Sequence, residues 1–174
     1  MRFIHWALLI LLISISTAEP DVITVGPYNV SFDIGLNKSD YETNIWGPIE
    51  TETLQGDAKT DYEILIEQNN YNFIYINVGK WEKENIPFDT LDIELLKEEY
   101  EDTFREADVS CYERPIDGTH GSIAYINWDR RNRYITTYQP TFNPEHIWVY
   151  IDSTLEWNKG TLKFLKTIHV TQSR

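Results

Sequence analysis

Between Asp61 and Gly79 the sequence alternates twice in succession, and no other pattern narrows the choice of fold as much. Tyr62, Ile64 and Ile66 alternate with Glu63, Leu65 and Glu67. After Asn69-Asn70, Ile74, Ile76 and Val78 alternate with Phe73, Tyr75 and Asn77. A period of two places successive side chains on opposite faces of a strand, so each run has one face to bury. Asn tolerates positive φ and suits a hairpin turn. The spacing predicts a hairpin of strands over Asp61–Gln68 and Asn72–Gly79.

The same period recurs elsewhere. Val22–Val25 is a short strand, Gly26-Pro27 turns the chain, and Tyr28–Ile34 alternates Tyr28, Val30, Phe32 and Ile34 against Asn29, Ser31 and Asp33. Gly121–Trp128, Arg133–Gln139 and Ile147–Ser153 read as a meander. Residues 35–60 are polar and irregular, with Ile49–Leu54 a weak strand. Aromatic residues make up 14% of the chain, which favours strands. Two segments carry helical spacing. Over about 89–107, Leu91, Leu95 or Leu96, Tyr100, Phe104 and Ala107 share a face behind Pro87 and a capping Asp89 or Thr90. Over about 157–170, Leu162, Leu165 and Ile168 repeat with Lys159, Lys163 and Lys166 outside. Strands, helix, strands, helix predict an α+β fold, an antiparallel sheet with both helices packed on it.

Residues 1–18 have the parts of an export signal: Arg2, the apolar run Trp6–Ile15, and small residues at Ser16-Thr17-Ala18. The run is about half the roughly 20 residues a membrane-spanning helix needs. The expectation is a cleaved signal and a secreted or extracytoplasmic domain over 19–174; the alternative is an uncleaved anchor. Without residues 1–18 the chain loses one basic residue, leaving 14 basic against 28 acidic, a net charge of −14. Such a surface repels phosphate backbones and anionic lipids, so no nucleic-acid partner and no stable membrane span are expected. The single Cys111 allows no internal disulfide and is read as a small buried hydrophobe.

The strand Trp148-Val-Tyr-Ile-Asp-Ser153 runs into the helical stretch Trp157-Asn-Lys-Gly-Thr-Leu-Lys-Phe-Leu-Lys-Thr-Ile168, followed by His169-Val170. This ending resembles Mog1/PsbP-like domains, with the likeness extending over residues 60–170. It implies a final strand and helix packed on a central sheet, and a binding or assembly role. Residues 1–34, with their export signal and VGPYNVSFDIG, resemble small secreted archaeal proteins of unknown function.

The sequence holds no G-x-G-x-x-G, Walker loop, H-E-x-x-H or C-x-x-C, and no cofactor or metal is expected. Glu113–Gly118 begins like a calcium loop, but Pro115 cannot ligate through its side chain and the twelfth position is Ala124. The acidic clusters Asp89, Asp92, Glu94 and Glu98, Glu99, Glu101, Asp102 are read as a solvated helix face. Asp117, His120 and Cys111 are the residues on which an exported hydrolase would rest. Trp128-Asp-Arg-Arg-Asn-Arg-Tyr134 concentrates three basic residues at a hairpin tip of an acidic chain. Trp128, Arg130, Arg131, Arg133 and Tyr134 are therefore the ligand-binding candidates, with guanidinium forks suited to an anionic group. Asn37-Lys-Ser39 and Asn29-Val-Ser31 are N-glycosylation sequons, with Asn37 the better acceptor. The reading that follows is a non-enzymatic exported binding or assembly domain whose partner is an envelope protein or a small ligand. A carbohydrate- or envelope-polymer-binding module using Trp46, Trp81, Trp128, Trp148 and Trp157 is the alternative.

Overall fold

The computed structural model describes residues 20–52, 58–82, 101, 107–128 and 131–173. The strands are β1 (Asp21–Val25), β2 (Tyr28–Phe32), β3 (Glu42–Glu52), β4 (Ala58–Asn69), β5 (Asn72–Trp81), β6 (Asp108–Ile116), β7 (Thr119–Trp128), β8 (Arg131–Tyr138), β9 (Ile147–Ser153) and β10 (His169–Gln172). A π turn, Trp157–Thr161, leads into the helix α1 (Leu162–Thr167). The strands form two antiparallel sheets, one of seven in the order β3-β4-β5-β9-β8-β7-β6 and one of three in the order β1-β2-β10.

The alternating hairpin is the centre of the large sheet. Tyr62 pairs with Val78, Ile64 with Ile76 and Ile66 with Ile74, so one apolar face runs across β4 and β5. β9 continues it with Val149 opposite Val78 and Ile151 opposite Ile76. The small sheet and α1 cover this face. Val30, Phe32, Ile34, Phe164, Leu165, Ile168 and Val170 share one buried cluster with Ile64, Ile76, Val78, Ile123, Tyr138 and Val149. Full burial of each such side chain contributes roughly 1.5–3 kcal/mol, so this interface is the main stabilising element. A second, smaller cluster, Val109, Ala124, Ile126 and Ile135, lies among β6, β7 and β8.

The fold corrects the α+β expectation. Strands dominate, and the C-terminal helical segment covers only 11 residues. The predicted helix over 157–170 stops at Thr167, because Ile168 is extended (ψ 134°). His169–Gln172 then pairs with β2, Val170 opposite Val30. Val170 fits a helical face and a strand face equally well in sequence, and pairing with β2 decides between them. The predicted helix over 89–107 falls almost wholly outside the described residues, and Ala107 is a bend leading into β6. Residues 35–60, read as irregular with a weak strand at Ile49–Leu54, hold β3, which includes Ile49–Glu52, and the start of β4. β6 was not anticipated at all. Residues 1–18, read as an export signal, also lie outside the described residues.

Candidate binding cleft

Topology brings three connections to the same end of the large sheet. These are the β4–β5 turn at Asn69–Asn72, the β7–β8 tip at Trp128–Arg131, and the exit of β9 at Ser153–Glu156. Asn69 shapes the first, its Oδ1 accepting from the backbone N–H of Tyr71 (3.0 Å) and Asn72 (3.1 Å). That bond pattern turns Tyr71 outward, where it is 69% exposed. Thr154 fastens the turn to the end of β9. Its Oγ1 accepts from the Phe73 N–H (3.0 Å) and donates to the Tyr71 carbonyl (2.8 Å), and its own N–H donates to the Phe73 carbonyl (3.0 Å).

Between these connections lies a cleft of about 640 Å³. Tyr71, Trp128, Arg131 and Arg133 line it, with the polar groups of Asn70, Asn72, Asn132 and Glu156 at its rim. The size is that of a small-ligand site. Trp128 is 51% exposed. The Arg131 guanidinium lies 5.2 Å from the centre of the Tyr71 ring, a cation–π contact that spans the cleft from one hairpin to the other.

The five residues singled out at the hairpin tip divide. Trp128, Arg131 and Arg133 reach the cleft. Arg133 is committed there to the buried carboxylate of Asp152, which it grips through Nε (2.8 Å) and Nη2. Its role is to neutralise that carboxylate and form part of the wall. Tyr134 points to the other side of the sheet, where its ring stacks on Trp157 with centroids 4.9 Å apart. Burial, with Tyr125 beside it, pushes its phenol pKa up. Arg130 lies outside the described residues. The sequence alone does not single out Tyr71, which falls between the Asn69-Asn70 turn and the next strand and whose neighbours across the cleft, Trp128 and Arg131, are some sixty residues away.

The residues considered for chemistry separate as well. His120 sits within β7, its Nε2 3.1 Å from Glu113. Cys111, half-buried, pairs with Ala124 while His120 pairs with Pro115, four residues or about 13 Å further along the strand. Asp117 instead bonds His169 Nδ1 at 2.5 Å. Among the described residues no group of His, Cys, Asp and Glu is arranged to hold a metal ion, and no helix is long and apolar enough to cross a membrane. Of the tryptophans, Trp46 and Trp128 are the exposed ones among Trp46, Trp81, Trp128, Trp148 and Trp157. They sit toward opposite edges of the sheet and form no continuous aromatic platform. Asn37 is exposed beside a 3-10 turn, Lys38–Asp40, its Nδ2 donating to Asp40 (3.1 Å). Asn29 lies in the middle strand of the small sheet, accepting from the Thr24 hydroxyl (2.8 Å).

Comparison of the chain with family models, with curated proteins and with solved structures found no match. No nucleic-acid-binding family is therefore matched.

Proposed function

We propose that this chain is an exported binding domain whose cleft takes a saccharide of one or two rings. The observation that carries the reading is the meeting of two exposed aromatic side chains, Tyr71 and Trp128, around one cleft rimmed by amides and a guanidinium. Aromatic faces pack on the C–H faces of sugar rings and their polar edges stay wet. Asn and Arg side chains supply donors, and Glu156 an acceptor, for hydroxyl groups. With Arg133 held by Asp152, Arg131 is the guanidinium left to engage the ligand. An extended polymer would need a row of exposed aromatics, so the reading favours a chain end or a short oligosaccharide. Export is supported by residues 1–18 and by the acidic composition, and in an exported chain Asn37 is the better placed of the two glycan acceptors.

The test is a thermal-shift and calorimetric panel of neutral and acidic mono- and oligosaccharides against the secreted protein. A ligand near 100 times its Kd raises stability by about 2.7 kcal/mol, enough to move the midpoint by several degrees. Tyr71→Ala and Trp128→Ala are each expected to weaken binding roughly tenfold. A panel with no shift, or shifts indifferent to both substitutions, ends the proposal.

A further inference from the structure

The large sheet stops on one side at β3, and all 11 residues of β3 are exposed. Among the described residues it pairs with β4 alone. A strand so placed offers a row of backbone N–H and C=O groups to any extended chain. Proteins commonly guard such edges with lysine, proline, a bulge or a covering element. Here Gly47-Pro48 and a register shift between Trp46 and Ile49 interrupt the middle of the strand. The five residues before them, Glu42–Trp46, pair with β4 in unbroken register, and β3 carries neither lysine nor arginine.

Its side chains indicate what would add to it. Ile45 is 48% exposed and Trp46 44%. Ile45 stands opposite Ile64 of the main core, and Trp46 opposite Glu63 on the other face. Apolar surface therefore flanks the edge on both faces. Every charge on β3 is negative, Glu42, Glu50 and Glu52. At its start is a cavity of about 370 Å³ whose lining includes Asp40, Tyr41, Glu42 and Glu67. Asp40 accepts from Asn37 and Ser39. Among the described residues Glu42 and Glu67 have no cationic partner.

We infer that the free edge of β3 is a docking site for an extended basic segment of another protein. That segment adds an eighth strand along Glu42–Trp46 and places a lysine or arginine in the acidic cavity. Main-chain hydrogen bonds would supply affinity and the alternate side chains specificity. A second copy of this chain fits poorly, because it would bring an edge whose only charges are carboxylates, on a chain of net charge −13, against the same edge. Gly47-Pro48 limits the ladder to a few residues and so selects a short strand.

The probe is a peptide of about ten residues alternating lysine and valine, titrated into the full secreted protein and followed by Trp46 fluorescence and calorimetry. Binding is expected, with an emission shift that Trp46→Phe removes. Reversal of Glu42, Glu50 and Glu52 to Lys should weaken it roughly tenfold or more. The same peptide N-methylated at alternate residues should not bind, because the added strand loses its donors. Trp128→Ala should leave the affinity unchanged, which separates this edge from the saccharide cleft. Equal binding of the N-methylated peptide overturns the inference in favour of plain charge attraction. So does the absence of binding, or a peptide-free dimer in sedimentation that Trp46→Lys dissociates.

Discussion

Asp117 ties the two sheets together through a single side chain. It sits in the β6–β7 turn with φ +50°, followed by Gly118 at φ +73°. Asp-Gly suits such a turn because both positions need positive φ. Its side chain is 6% exposed and reaches the other sheet, accepting from the Val170 N–H (3.0 Å) and from His169 (2.5 Å). Asp117→Ala removes both acceptors and sets a β-carbon without a helpful side chain in a left-handed conformation. The expected loss is about 2–4 kcal/mol in denaturant unfolding. Asp117→Asn keeps the turn preference and one acceptor, so it should lose clearly less. Equal losses would mean that the turn, not the bond between sheets, sets the cost. Gly26 is a second sensitive point. With φ +53° it lies against Tyr62, where an added Cβ would stand 2.1 Å from a ring carbon. Gly26→Ala is expected to destabilise by about 1–3 kcal/mol, read as a lower thermal midpoint.

Among the elements, the link between the β4–β5 turn and the exit of β9 decides whether the cleft keeps its shape. One hydroxyl, that of Thr154, serves both partners. Thr154→Val preserves the branched shape and removes the hydroxyl. It should cost about 1 kcal/mol in stability and lower saccharide affinity by more than that loss predicts, through Tyr71 becoming mobile. Calorimetry beside unfolding curves separates the two effects. The elements also differ in how readable they were. β4 and β5 bury mainly one face, so alternation revealed them, whereas β7 sends Ile123 to one cluster and Ala124 and Ile126 to the other and was legible from strand spacing. β3 buries neither face, and a strand exposed on both sides has no alternation to read. β6 mixes Glu113, Arg114 and Pro115 into a strand near the sheet's other edge, where polar residues are tolerated. The hairpin tip at 128–134 was readable as a basic turn between strands. Which of its side chains face the cleft depended on strand parity, and that is why Tyr134 proved to be a core residue. Tyr71 depended on tertiary pairing that no local pattern encodes.

Among the described residues, burial raises the pKa of several phenols. Burial, helped by Tyr62, pushes Tyr28 up to about 12; burial, helped by Tyr134, does the same to Tyr112. Tyr138 is raised well above its ordinary value by full burial beside Asp117. An unfolded phenol titrates near pH 10. A folded value above the unfolded one means the stabilisation is complete below about pH 10 and is lost as pH rises through about 12. Ultraviolet titration should show part of the phenolate appearing late and together with loss of circular dichroism. Gradual ionisation around pH 10 with the fold intact would contradict this. On the acid side, partial burial raises Asp33, but the Lys163 ammonium (2.8 Å) and the Gly35 N–H (2.7 Å) outweigh it and hold the pKa below the usual carboxylate value. Its contribution is present above the unfolded pKa and fades as pH falls through the folded one.

The strand order β1-β2-β10 has a consequence for how the chain is made. β2 obtains its second partner only from residues 169–172, some 140 positions later. A ribosome that has emitted everything up to β9 still holds a chain whose inner sheet lacks its closing strand and α1. Nascent chains stalled at that point should remain open to protease, and resistance should arrive abruptly once Gln172 clears the exit tunnel. The architecture thus makes closure of the small sheet wait on residues 169–172, whatever folds before them.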